Sequence, residues 1–350
     1  MRIMTSRGLV ATAVVLAAIT ACQDGTAPGN TTFDSQRVMT GTGVVQDAVT
    51  APGVRALEQV MRLGGTSAAP ALAAAATGTG MAVAALRIAQ EVFGAQAFAA
   101  SVLSPTVLGR TFVFDSAAGH YVLSARTGAP ANGVRIVLYA ETAVGAPIVG
   151  QEVGYAELTD EAVASATSTG VRLVVVTGGM TRLSYGVTLS LPGVPPQVAV
   201  QGFIGDASDR LEFTIAESAS TDGSGRGMVI ATLRAPGAGM EVQATIEGAP
   251  DGTGKVALVV TSASDRIEVS SATLAGQVDA SFTVNGKLLA RASGAASAPA
   301  VRGENGRALN SDEQQALARI VGMASGIGQL LGALVAPAGV IVQVATTIGR

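Results

Sequence analysis

The segment VRLVVVTGGMTRLSYGVTLSL, residues 171–191, decides the fold. Two runs of alternating or apolar residues flank the pair Gly178-Gly179, and in the second run Leu183 and Tyr185 begin a series with an apolar side chain at every second position. Side chains of a β-strand point to opposite faces in turn, so this series places its apolar members on one face. The segment therefore predicts an antiparallel hairpin with one apolar and one polar face.

Four further segments repeat this layout along the chain. They cover residues 197–218, 227–247, 255–273 and 277–291, with turns at 205–209, 237–239, 262–265 and 285–286. The last turn is Asn285-Gly286, the dipeptide that best fits a two-residue type I′ hairpin. Two turns also share a local repeat, ASDRLEF at 207–213 and ASDRIEV at 263–269. With a hairpin from residue 111 and two strands before residue 160, residues 110–293 predict about a dozen strands in one antiparallel β-meander.

The apolar face of such a sheet must be covered in water. Two helical regions are the predicted covers, an alanine-rich region at 54–104 and an apolar C-terminal segment at 309–349. The predicted fold class is therefore α+β, a large curved antiparallel sheet packed against N-terminal and C-terminal helices. The larger apolar side chains of the sheet face are predicted to line a site for an apolar ligand, which a flat sheet would close and a curved sheet would leave open. They are Leu183, Tyr185, Leu211, Phe213, Ile215, Ile267 and Phe282.

The C-terminal segment carries no charged residue from Ile320 to Gly349. Its hydropathy and the spacing of Gly328 and Gly332 permit a transmembrane interpretation. The alternative is a helix that packs on the sheet and is broken at Pro337, because many small residues allow close packing. We adopt the packed helix as the prediction.

The first residues have the pattern of a secretory signal. Arg2 and Arg7 precede an apolar stretch at 8–19, which is too short to span a bilayer comfortably. The stretch ends in Ile19-Thr20-Ala21-Cys22, which resembles the lipobox of bacterial lipoproteins. That resemblance implies removal of residues 1–21 and lipidation of Cys22, so the partner of the N-terminus would be a membrane. Cys22 is the only cysteine, so no disulfide can form within the chain.

The residues after the lipobox predict a tether and an address. Residues 22–53 are rich in Gly, Thr, Asp and Pro without clear periodicity, which is typical of a flexible linker. Gln23 stands where an aspartate would retain an enteric lipoprotein in the inner membrane. We therefore predict a lipid-anchored protein of the cell envelope, in the outer membrane and facing the periplasm or the surface.

Composition narrows the function. The chain has 22 Lys+Arg against 25 Asp+Glu and no long basic run, which argues against a nucleic-acid partner. With His120 as the sole histidine, the chain lacks the usual ligands of a zinc site, and no nucleophile elbow or phosphate-binding loop occurs. We predict no metal, no cofactor, no catalytic residue and no enzymatic activity.

The lipobox and the strand pattern together are similar to the half-barrel architecture of periplasmic lipoprotein-carrier and lipoprotein-sorting proteins. The resemblance implies a lipid or another apolar molecule between sheet and helices, and no binding residue is carried over. Two alternatives stay open. One is a structural or adhesive surface lipoprotein that binds an unknown protein partner through its loops, and the other is a hydrolase with an unrecognised site.

Overall fold

The computed structural model describes residues 102–348, except 144, 162–167, 191–196, 207–208, 221–225, 250 and 263–264. The predicted signal segment and tether lie outside the described residues, and so does the alanine-rich region except for its last three residues. The elements are β1 Arg110–Asp115, β2 His120–Ser124, β3 Gly133–Glu141, β4 Pro147–Glu161, β5 Ser168–Thr177, β6 Met180–Ser190, β7 Gln197–Ile204, β8 Leu211–Ala219, β9 Gly227–Ala235, β10 Met240–Gly248, β11 Gly254–Ser262, β12 Asp265–Leu274, β13 Gln277–Val284, β14 Lys287–Ala295, β15 Ala300–Arg302 and α1 Ser311–Thr347.

The strands form one sheet of 15 strands, in the order β15 to β3 followed by β1 and β2. From β3 onward each strand pairs antiparallel with the next, which confirms the predicted meander. The sheet departs from the prediction at one edge, where β1 pairs in parallel with β3. The hairpin of β1 and β2 is local, whereas its attachment to β3 is a long-range pairing that strand periodicity does not specify.

The predicted turns at 178–179, 237–239 and 285–286 lie in short connections between consecutive strands, whereas those at 205–209 and 262–265 fall partly outside the described residues. Asn285 and Gly286 both adopt positive φ, 49° and 77°, as a type I′ turn requires. The Asn285 side chain also accepts a hydrogen bond of 2.8 Å from the backbone N–H of Arg266. The turn between β13 and β14 is thereby tied to the preceding hairpin.

Helix α1 begins at a capping box. The Asn310 side chain accepts from the Glu313 N–H at 2.9 Å, and the Glu313 carboxylate accepts from the Asn310 N–H at 3.0 Å. Two of the otherwise unpaired N–H groups at the helix start are thus satisfied. The predicted break at Pro337 is wrong, since α1 continues through this residue to Thr347. Pro337 lacks an N–H for the preceding turn, but packing against the sheet holds the helix together.

The core lies between the apolar face of the sheet and α1. Alternate residues of β5 to β14 are buried on this face, and α1 contacts β5, β7 and β14. Apolar side chains from sheet and helix belong to one continuous cluster. The α+β fold therefore rests on burial of a single apolar sheet face under its own C-terminal helix.

Candidate functional site

The seven predicted ligand-facing residues all lie on the sheet face that carries the core. None exposes more than 3% of its surface, and all belong to the cluster that includes α1. The alternation rule therefore assigned their face correctly. The same cluster includes Leu330, Leu334 and Ile341 of α1.

Tyr185 is the point where sheet and helix are joined by a polar contact. Its hydroxyl donates to the backbone carbonyl oxygen of Leu334, in the turn of α1 that precedes Pro337. Full burial raises the pKa of the Tyr185 hydroxyl well above its ordinary value, so the group stays a neutral donor. A buried hydrogen bond of this kind stabilises the contact between the sheet and the helix.

Gly202 on β7 explains how two rings fit beside this contact. It is the cross-strand neighbour of both Tyr185 and Phe213, whose ring centroids lie 5.6 Å apart at a tilt of 50°. A Cβ atom at Gly202 would lie 1.8 Å from the backbone oxygen of Ser184, so no other residue fits. The glycine lets the backbones of β6 and β7 approach under the two rings.

Helix α1 is long and apolar enough to cross a membrane by length and composition. Its most apolar window has a mean hydropathy of 1.8, and 61% of that window is buried inside the fold. The exposed residues of α1, such as Arg319, Ser325 and Gln329, occur in its first half. From Leu330 to Thr346 every residue is buried or half-buried. The second half of α1 is therefore covered around its circumference.

Glu217 is an acidic residue on the apolar face. It follows Leu211, Phe213 and Ile215 in the inward phase of β8, and its cross-strand neighbours are Val198 and Val229. Only 4% of its surface is exposed, and its Oε2 atom is buried without a hydrogen bond. This desolvation raises the pKa of the Glu217 carboxyl from 4.5 to about 8. Glu217 is therefore protonated and neutral at pH 7.

The opposite face of the sheet carries a polar groove of about 380 Å³ over β5 to β9. Its floor is formed by the short side chains of Thr214 and Thr232, which are cross-strand neighbours on β8 and β9. Longer polar side chains surround this floor. They include Arg172, Gln201, Arg210, Glu212 and Arg234.

Each arginine of the groove is paired with a carboxylate. Arg172 binds Glu161, and its Nη1 also donates to the Ser184 hydroxyl at 3.1 Å. Arg210 Nη2 lies 2.6 Å from Glu212 Oε1, and the Cζ atom of the same guanidinium lies 4.3 Å from the centre of the Phe203 ring, on which it stacks. Arg234 donates through Nε to Glu241 at 3.1 Å. The three guanidinium charges are thus balanced by three carboxylates.

The groove and Glu217 were not singled out from the sequence. A period-2 count along β8 would have placed Glu217 in the inward phase, after Ile215. No comparable signal marks the groove, because its residues come from five strands. Within the described residues, His, Cys, Asp and Glu side chains form no group of three or more that would hold a metal ion.

Comparison with known proteins provides no relative. The chain matches no protein-family model, no curated protein and no solved structure.

Proposed function

We propose that this chain is a non-enzymatic lipoprotein of the cell envelope, anchored through Cys22, whose sheet curves around its own C-terminal helix. The protein then recognises its ligand or partner on its outer polar surface and not in its interior. The observation that carries this proposal is the position of α1 on the apolar face of the sheet.

Burial of α1 supports the curvature. The helix contacts both β7 and β14, which lie seven strand spacings apart in the sheet. That separation is about 34 Å along a flat sheet, and a helix of 37 residues is about 55 Å long, so these contacts follow from the length of the helix and do not by themselves require curvature. None of the described side chains of α1 after Gln329 is exposed. A sheet that wraps around the second half of the helix accounts for this burial.

The same packing argues against a lipid ligand between sheet and helix. The seven apolar residues expected to contact such a ligand pack in the core with α1. A lipid tail would have to displace α1 and break the bond between Tyr185 and Leu334. An interaction through the outer surface, as in the structural or adhesive alternative, requires no such rearrangement. The helix then serves as an internal support for the sheet.

The anchor is tested in the bacterial envelope with the Cys22→Ser variant. We expect an alkynyl fatty acid to label the wild-type chain and not the variant, since the acylated thiol is gone. We also expect carbonate to extract the variant from membranes, because α1 is packed inside the fold. Label on the variant would contradict lipidation at Cys22, and carbonate-resistant retention of variant molecules from which residues 1–21 have been removed would mean that α1 spans the bilayer.

The interior is tested with the same variant by native mass spectrometry with palmitate and phosphatidylethanolamine. We expect no adduct with either lipid, because the apolar face is occupied. A stoichiometric adduct that Tyr185→Phe strengthens would favour the interior lipid site, since this substitution weakens the attachment of the helix. In that case the lipid-carrier hypothesis would replace the present proposal.

A further inference from the structure

We propose that the polar groove over β5 to β9 is a binding site for an uncharged saccharide. The inference goes beyond the envelope role above and does not depend on the lipid anchor. Its volume of about 380 Å³ lies at the lower end of the range for small-molecule sites. A folded protein partner would require a contact area of about 800 Å² on each side, so the groove suits a small ligand better.

The charge balance of the groove selects a neutral ligand. Arg172, Arg210 and Arg234 are each paired with a glutamate. An anionic ligand would compete with these carboxylates for the guanidinium groups, and a cation would compete with the guanidinium groups for the carboxylates. A neutral ligand leaves all three pairs intact and gains hydrogen bonds from atoms that the pairs leave unused. Arg234, for example, engages Glu241 through Nε, while both of its terminal amino groups remain available.

The mixture of donors and acceptors points to hydroxyl groups on that ligand. Arg234 supplies only donors, whereas the Glu212 carboxylate supplies only acceptors. Gln201 and the hydroxyls of Thr214 and Thr232 supply both. No hydrogen bond from the described residues occupies the side chains of Gln201, Thr214 or Thr232. A saccharide, whose hydroxyls donate and accept, matches this set along its length.

The local backbone explains why the groove exists at this place. Gly186 lies between Arg172 and Gln201 in the cross-strand row. A Cβ atom there would come within 3.3 Å of Arg172 Nη2 and Glu161 Oε2. The absence of a side chain at Gly186 thus lets the ion pair of Arg172 and Glu161 lie close to the backbone of β6. At the other side, stacking on Phe203 holds the Arg210 guanidinium beside the threonine floor.

The test is isothermal titration of the full mature chain in a detergent without a sugar headgroup. The probes are neutral oligosaccharides of glucose, galactose, mannose and N-acetylglucosamine, and matched oligosaccharides of glucuronate and galacturonate. We expect at least one neutral probe to bind. Arg234→Ala should weaken this binding about tenfold, since a hydrogen bond from a charged donor is lost.

Two variants distinguish the groove from the rest of the sheet. Thr214 is exposed on the groove floor, so Thr214→Tyr fills the groove and should abolish binding. Ser270 is an exposed outward residue of β12, away from the groove, and Ser270→Tyr should bind as the wild type does. Both variants replace an exposed strand residue by a good strand former, so their melting temperatures should stay close to that of the wild type.

Three outcomes would overturn the inference. They are no binding of any neutral probe, binding confined to the uronate probes, and binding that survives Thr214→Tyr. The Cys22→Ser chain is titrated in parallel. Because the groove is formed by the sheet alone, its affinity should equal that of the lipidated chain whether or not the anchor proposal holds.

Discussion

In the wild-type chain, the free energy of unfolding should decrease as the pH rises from mildly acidic to mildly basic, and replacement of Glu217 by glutamine should remove this decrease. The carboxyl group is 4% exposed, among apolar neighbours, and burial raises its pKa from 4.5 to about 8. Between these two values the folded chain holds a proton that the unfolded chain has released. The free energy of unfolding therefore decreases as the pH rises through this window.

The size of the effect follows from the two pKa values. The slope is about 1.4 kcal/mol per pH unit, which amounts to roughly 5 kcal/mol over the full window for this one group. From near pH 5 to near pH 8 the wild type should lose about 3 to 4 kcal/mol through Glu217. Below the unfolded-state pKa both states are protonated and the loss vanishes. Paired carboxylates such as Glu241 and Glu313 have lowered pKa values, so they act at lower pH.

The assay is urea denaturation followed by circular dichroism at several pH values between these limits. Glu217→Gln keeps the size of the side chain but cannot ionise. From near pH 5 to near pH 8 its free energy of unfolding should therefore fall by about 3 to 4 kcal/mol less than that of the wild type. The cost of burying the amide is the same at every pH and does not affect this difference. Glu247→Gln, at an exposed position on β10, should retain the wild-type slope. Equal slopes for wild type and Glu217→Gln would refute the assignment of a buried, protonated carboxyl.

Two further predictions concern the junction of sheet and helix. Tyr185→Phe should lower the free energy of unfolding by about 0.5–1.5 kcal/mol, because the buried hydrogen bond to the Leu334 carbonyl oxygen is lost. Tyr155→Phe is the control, since its half-buried ring lies 4.2 Å from a guanidinium on the outer face. It should change the free energy of unfolding by less than about 0.5 kcal/mol in the same urea assay. Gly202→Ala should cost about 3 kcal/mol or more, or prevent folding, because its Cβ would meet a backbone oxygen of β6 at 1.8 Å. Gly186→Ala meets only side-chain atoms at 3.3 Å, so thermal melting should find it clearly milder, and equal losses for the two alanine variants would contradict the packing described for β6 and β7.

Much of the sheet could be predicted because its signals are local. A turn such as Asn285-Gly286 lies between two alternating runs, so a short window of sequence contains the whole hairpin. The parallel pairing of β1 with β3 could not be predicted in this way, since its partners are joined by a separate hairpin. The predicted break at Pro337 was wrong, because burial of the helix against the sheet outweighs the local preference of proline to end a helix.

For the candidate sites too, the features set by local pattern could be predicted and those set by long-range contacts could not. The inward direction of Leu183, Tyr185 and their partners could be predicted, because alternation alone assigns the face. What lies against that face could not, since the distance between α1 and the sheet depends on contacts such as that of Tyr185 with Leu334. The groove was also beyond prediction, because Arg172 and Arg234 come to line one groove only through the register of five strands.

By itself, then, the sequence determined the hairpins, the two faces of each strand and the apolar character of the C-terminal segment. These properties depend on residue type and on spacing within a few positions, so they are the same wherever the strand finally lies. The tertiary structure alone decided how completely α1 covers the apolar face, that the inward Glu217 has no partner there and that balanced ion pairs surround a groove. Each of these depends on which distant residues meet and on how much water remains between them, which local periodicity does not specify.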